Sequence, residues 1–295
     1  MSKQAGLHAA PLLLILSCGV PAPALAQSFV DLEAGALYDS NLGNGQLQQD
    51  VRGDLALTAA VSGGWLSILD KSTTLTLAAD AKGQVFDRFG GMSNVSLGAT
   101  LAARRKFGLG AAAPWLRLSL TGARLEFGNS VRDGWLYRAG LGAGKRVGER
   151  WEVRADGVFE DRTGDHAAPS DPERSGAVFD QTNRIFSLTV NCTPSDETVV
   201  TVAYAHRSGD AVVTTSAASA SIDRVSSAET MDPVFGPDTI AYKLRATSHI
   251  WSVAVSRALG AHASVALNLQ RQLTYANEGN DYYKTVVAAT YLYSF

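Results

Sequence analysis

Apolar and polar residues alternate with a period of two in twelve separate runs along this chain, the pattern of strands with one apolar and one polar face. In the first run, Val30, Leu32, Ala34, Ala36 and Tyr38 alternate with Asp31, Glu33 and Gly35. Leu55, Leu57, Ala59, Val61 and Trp65 then oppose Asp54, Thr58 and Ser62, and Leu75, Leu77, Ala79, Ala81 and Val85 oppose Thr76, Asp80, Lys82 and Gln84. The fourth to seventh runs set Val95, Leu97 and Leu101 against Arg104, Leu116, Leu118 and Leu120 against Arg117, Trp135 and Tyr137 against Arg138, and Trp151, Val153 and Phe159 against Glu152, Arg154 and Asp156. Four shorter runs centre on Leu188, Val202, Val253 and Leu267. The last places Tyr283, Thr285, Val287, Ala289, Tyr291, Tyr293 and Phe295 on one face.

A soluble sandwich also alternates, so length and connection must separate the two folds. The runs extend over roughly ten residues, the span a tilted strand needs to cross a bilayer. Tight turns at 70–72, 148–150, 194–197 and 259–261 alternate with long polar connections at 39–53, 162–180 and 208–240. An even strand count with both termini on the short-turn side predicts an all-β fold, a transmembrane antiparallel up-and-down β-barrel of about 12 strands. Closure follows because an open sheet edge in hydrocarbon leaves backbone groups unpaired at several kcal/mol each. Trp65, Trp151, Tyr293 and Phe295 are expected at one rim, and Tyr38, Trp135, Tyr137 and Tyr283 at the other, where amphipathic rings meet the interface.

The closing run, aromatic on its outer face and ending on Phe295, resembles the last strand of bacterial outer-membrane β-barrel (porin-like) proteins. The resemblance implies that Tyr291, Tyr293 and Phe295 form a signal read by the barrel-assembly machinery. The other end agrees. Lys3, the apolar stretch from Leu12 to Val20, and Ala24, Leu25 and Ala26 read as a signal peptide over residues 1–26, leaving 27–295 as a single barrel domain. The apolar stretch is too short for a membrane helix. Cys18 as a lipoprotein site fits less well, since Leu16 is a poor match and Ala24 to Ala26 follow. The mature chain then keeps one cysteine, Cys192, and no internal disulfide. A formal net charge of −2, shifted one unit by the loss of Lys3, gives no reason to expect nucleic acid.

Function is sought on the polar face, where charges mix with small residues such as Ala56, Ala78, Gly98, Gly140, Gly142 and Ala288. Side chains this small fill a twelve-stranded barrel poorly, so the lumen is expected to hold water. Asp31, Glu33, Asp54, Asp80, Lys82, Arg104, Arg117, Arg138, Arg154 and Asp156 are the candidate pore-lining residues. Two readings of them stand: an acidic arc on strands one to three facing a basic arc on strands four to six, or lumenal ion pairs that neutralise buried charge. Connection 208–240 either folds inward as a constriction or stands out as a surface loop.

Enzyme chemistry has little support. His206, Arg207 and Ser208 resemble the catalytic segment of the outer-membrane phospholipase A family over three residues, but the Asn that orients the His there is missing. Asp165 and His166 read as solvated loop residues, and the scattered histidines imply no metal site and no cofactor. Tyr38, Asp39, Ser40 and Asn41 are similar to a segment common in barrels tied to polysaccharide or lipoprotein export. The expectation is a passive outer-membrane channel for small polar or charged solutes. The alternative is a non-conducting barrel assisting export, assembly or surface binding. Its partners are outer-membrane lipids and the assembly machinery, with a homo-oligomer or a periplasmic partner as further possibilities.

Overall fold

A computed structural model describes residues 26–165, 176–216 and 225–295. The expected signal peptide lies outside them except for Ala26, and so does His166. The strands are β1 (Ala26–Asp39), β2 (Asp54–Ile68), β3 (Thr73–Phe86), β4 (Asn94–Lys106), β5 (Trp115–Phe127), β6 (Gly134–Val147) and β7 (Trp151–Gly164). They continue with β8 (Gln181–Ser195), β9 (Thr198–Thr215), the short β10 (Ala228–Met231), β11 (Ile240–Ala258), β12 (Ala263–Ala276) and β13 (Tyr282–Ser294). Each long strand pairs antiparallel with the next. β13 returns to β1, with Leu32 opposite Tyr293, and β9 pairs β11 across the short β10, with Thr215 opposite Ile240. The twelve long strands therefore form a closed antiparallel barrel without a free edge.

Exposure separates the two faces of the wall. Leu57, Leu118 and Leu267 are 66%, 61% and 65% exposed, whereas their neighbours Thr58, Ser119 and Asn268 on the concave face are half-buried. A belt of exposed aliphatic side chains this continuous is far larger than a soluble surface tolerates and matches a hydrocarbon surround. Aromatics flank the belt: Trp135 stacks on Tyr137 at 6.4 Å toward the long-loop end, and Tyr293 meets Phe295 edge-on at 4.9 Å at the short-turn end. No helix among the described residues is long and apolar enough to cross a membrane.

The turns are built locally. Asp70 Oδ1 accepts from the Ser72 and Thr73 backbone N–H groups at 2.7 and 2.9 Å and from the Ser72 hydroxyl at 2.7 Å, closing the β2–β3 turn. Those bonds, the Ser72 hydroxyl first, hold its carboxyl down at about 2. Gly148 takes a φ of 69° in the three-residue β6–β7 turn, a conformation that β-branched residues avoid.

One boundary departs from the sequence pattern. Connection 208–240 shrinks to 216–239, because β9 and β11 run on past the apolar belt. There both faces are covered: Val212 and Val213 are buried side by side, as are Ala241 and Tyr242. Alternation disappears wherever a strand has no wet face, so the period-two signal stopped at Tyr204.

Candidate functional site: the lumen and its outer mouth

The wall order of an up-and-down barrel is its chain order, so the acidic β1–β3 arc and the basic β4–β6 arc adjoin and do not face each other. The expectation of opposed arcs is corrected on that point. Across the lumen from β2 stands β8, whose inward side chains Gln181, Asn183, Ser187, Thr189 and Asn191 are uncharged.

The sequence-predicted residues divide into paired and unpaired groups. Lys82 lies 3.3 Å from Asp80, Arg154 Nε 2.7 Å from Asp156, and Arg138 2.7 Å from Glu160, which Arg207 also approaches at 3.4 Å. Asp31 accepts from the Ser294 hydroxyl at 2.6 Å. Asp54 is buried at the rim, where its carboxylate accepts the backbone N–H groups of Leu55, Arg88 and Phe89 and fastens the β3–β4 connection to β2. Lys284 and Asp39, absent from the sequence candidates, pair at 3.0 Å.

Arg104 and Arg117 form the exception. They sit directly opposite each other on β4 and β5, on the inward face, and neither has a carboxylate at ion-pair distance among the described residues. Like charges directly opposite across a strand pair destabilise it. Arg104 offsets part of this by lying over the Trp115 ring at 4.5 Å. The two cations, Trp115, Arg154, Glu152 and Thr76 line a cavity of about 400 Å³ toward the short-turn end. Sequence reading missed Trp115, one residue before its run began. The signal was present in Gly144, whose missing side chain leaves the space that the indole occupies.

The outer mouth is crossed by a strap. From β10 the chain runs through Asp232, Val234 and Phe235 to β11. Phe235 packs against Phe89 with ring centroids 5.0 Å apart, and a Cβ at Gly91 would meet Val234 at 2.6 Å. Both partners belong to the β3–β4 connection, on the far side of the barrel from β9 and β11, so the strap spans the opening. Phe235 joins a cluster with Leu42, Ala56, Phe86, Phe89 and Met92. Asp232 pairs with Arg132 of the β5–β6 connection, both nearly fully buried. Asp50 anchors the near end by accepting from the Thr215 hydroxyl at 2.7 Å and the Ser216 hydroxyl at 2.6 Å. Of the two readings of this connection, the described part lies across the mouth.

His206 and Ser208 share the outward face of β9, as the period of two requires. His206 meets His249 of β11 edge-on at 5.3 Å, and His249 Nδ1 lies 2.8 Å from the Tyr204 hydroxyl, which places the histidines in the outer aromatic belt. Asp165 is held by a two-pronged contact from Arg124. Among the described residues no three His, Cys, Asp or Glu side chains converge as a metal site would require.

No protein-family model matches the chain, and no curated protein does. Among solved structures, an outer membrane channel from Pseudomonas putida F1 superposes over 94% of this chain and 97% of its own, with a TM-score of 0.58 at 13% identity. The outer membrane channel DcaP of Acinetobacter baumannii aligns over 92% and 97%, with a TM-score of 0.45 at 8% identity. The first of these likenesses shows that the chain has the β-barrel fold of an outer membrane channel. At these identities the likeness is one of fold.

Proposed function

We propose that this chain is an outer-membrane channel that lets small polar or charged solutes cross passively, and that it is not an enzyme. The observation that carries this reading is the pair Arg104 and Arg117. Like charges directly opposite each other weaken the β4–β5 pairing, and these two are tolerated because Arg117 is exposed and Arg104 half-buried, so both stay hydrated toward the lumen. Two adjacent cations with no carboxylate at ion-pair distance among the described residues, beside a cavity of about 400 Å³ that Glu152 also lines, suit a wall past which solutes move. Fixed lumenal charges of this kind bias which ions pass. With Glu33 and Asp31 on the adjoining arc, they give the lumen a field with a component across it, in which polar solutes orient.

The reading carries its setting with it: export behind a cleaved signal peptide, insertion by the barrel-assembly machinery through Tyr291, Tyr293 and Phe295, and outer-membrane lipids around the belt. A homo-oligomer or a periplasmic partner is compatible with it. The test is the reversal potential of bilayer-inserted protein under a salt gradient. It should move toward cations when Arg117 becomes Glu and stay put when outward Leu118 becomes Ile.

One observation favours a second reading. A strap clamped across the mouth also suits a non-conducting barrel that assists polysaccharide or lipoprotein export or assembly. Absence of current from correctly folded protein would select it.

A further inference from the structure

Directly beside the strap, the mouth holds a cavity of about 180 Å³ whose lining includes Arg132, Arg162, Arg207 and Gln181. The three arginines come from three separate elements, the β5–β6 connection, β7 and β9, and converge on one space. Their charge is incompletely matched. Glu160 serves Arg207 only at 3.4 Å, being closer to Arg138, and Asp232 serves Arg132. Arg162 donates to the Arg132 carbonyl and lies over the rings of Phe127 and Phe179 at 5.2 and 5.7 Å. It has no carboxylate at ion-pair distance among the described residues. The neighbouring carboxylates of Asp133 and Asp180 accept backbone N–H groups, those of Phe127 and Gly164.

Hydrogen bonding shows the same surplus. Among the described residues, the buried Nε–H donors of Arg132, Arg162 and Arg207 have no acceptor, and the buried Asp232 Oδ1 has no donor. Arg132 is buried and Arg162 and Arg207 half-buried, and guanidiniums with free donors facing a cavity are recognition groups for carboxylate and phosphate oxygens. A buried ion pair with unmet hydrogen bonds is also a weak clasp, because desolvation offsets most of its attraction.

We propose that this cavity binds a small oxyanion, a phosphate or carboxylate group, which takes Arg132 from Asp232 and so frees the strap. The site stands whether or not the barrel conducts. Only the consequence of freeing the strap, a wider path, rests on the channel reading.

Calorimetric titration of the folded full chain in detergent at constant ionic strength, with inorganic phosphate and separately with acetate, tests it. Saturable binding of at least one is expected, the stronger of the two identifying the tetrahedral or the planar group. R162Q should weaken binding about tenfold, the loss of one charge-assisted hydrogen bond. D232N should strengthen it about tenfold by removing the competitor, a sign opposite to that of general damage. Release is read by thiol labelling of V234C in a C18S/C192S background, which the bound anion should accelerate. The proposal is overturned by absence of saturable binding, by D232N binding more weakly than the parent, or by labelling that ignores the anion. Binding without current would remove the channel reading and leave the site standing, whereas current without binding would do the reverse.

Discussion

Placing arginine at two adjacent positions of β12 tests the assignment of faces. Leu267 lies in the apolar stretch of β12 between Val265 and Leu269, 65% exposed, with Val255 and Ala289 as its outward cross-strand neighbours. An arginine there projects into the apolar belt far from either aromatic rim, at a cost of ~2–4 kcal/mol. Asn268, one residue on, points inward between Ala254 and Ala288, whose side chains are too short to obstruct a guanidinium. Arginine in that water-lined position should cost about 0.5 kcal/mol or less, as at an ordinary surface site. L267R should therefore lose at least ~1.5 kcal/mol more than N268R, roughly tenfold or more in the folding equilibrium. Urea titration of folding into lipid vesicles, followed by tryptophan fluorescence and heat-modifiable gel mobility, measures both. Equal costs, or a larger cost for N268R, would refute the assignment of faces.

Deleting Phe295, whose N–H bonds the Val30 carbonyl at 3.0 Å, should lower the folded outer-membrane fraction while leaving inner-membrane secretion intact, as heat-modifiable mobility of membrane fractions would report. R117E should shift the reversal potential more than R138E, because Arg138 is already matched by Glu160 whereas Arg117 has no carboxylate at ion-pair distance among the described residues. Asp70, held at about 2 by Ser72 and Thr73, keeps its turn contacts above the ordinary carboxylate pKa and loses them only as pH falls through about 2. Amide shifts of Ser72 and Thr73 followed by NMR should thus titrate well below pH 3.8, the value for an unperturbed aspartate.

The period of two made the wall legible because a barrel in hydrocarbon separates its faces more sharply than any soluble sheet. Strand existence, closure and the outward positions of Leu57, Leu118 and Leu267 all follow from it. The mouth was illegible for the same reason: alternation ends where β9 and β11 are covered on both sides, as Val212 with Val213 and Ala241 with Tyr242 demonstrate. The strap's seat depends on contacts far apart in sequence, Asp232 with Arg132 and Val234 with Gly91, which no local pattern encodes. Pairing within one strand was readable, since Arg154 and Asp156 are two residues apart. Pairing between strands, such as Arg138 with Glu160, required the register. The adjacency of the acidic and basic arcs could have been read from chain order once the up-and-down topology was accepted.

Single-channel recording of purified protein in planar bilayers tests the central claim most directly, with the strap present and removed. Thr215 and Ile240 are already paired, so an Asn-Gly turn can replace residues 216–239 and keep the β9–β11 register, β11 losing only its short pairing with β10. The account predicts a measurable conductance that rises when the strap is removed and shifts toward cations when Arg117 becomes Glu. Correctly folded barrels that carry no current with or without the strap would contradict it.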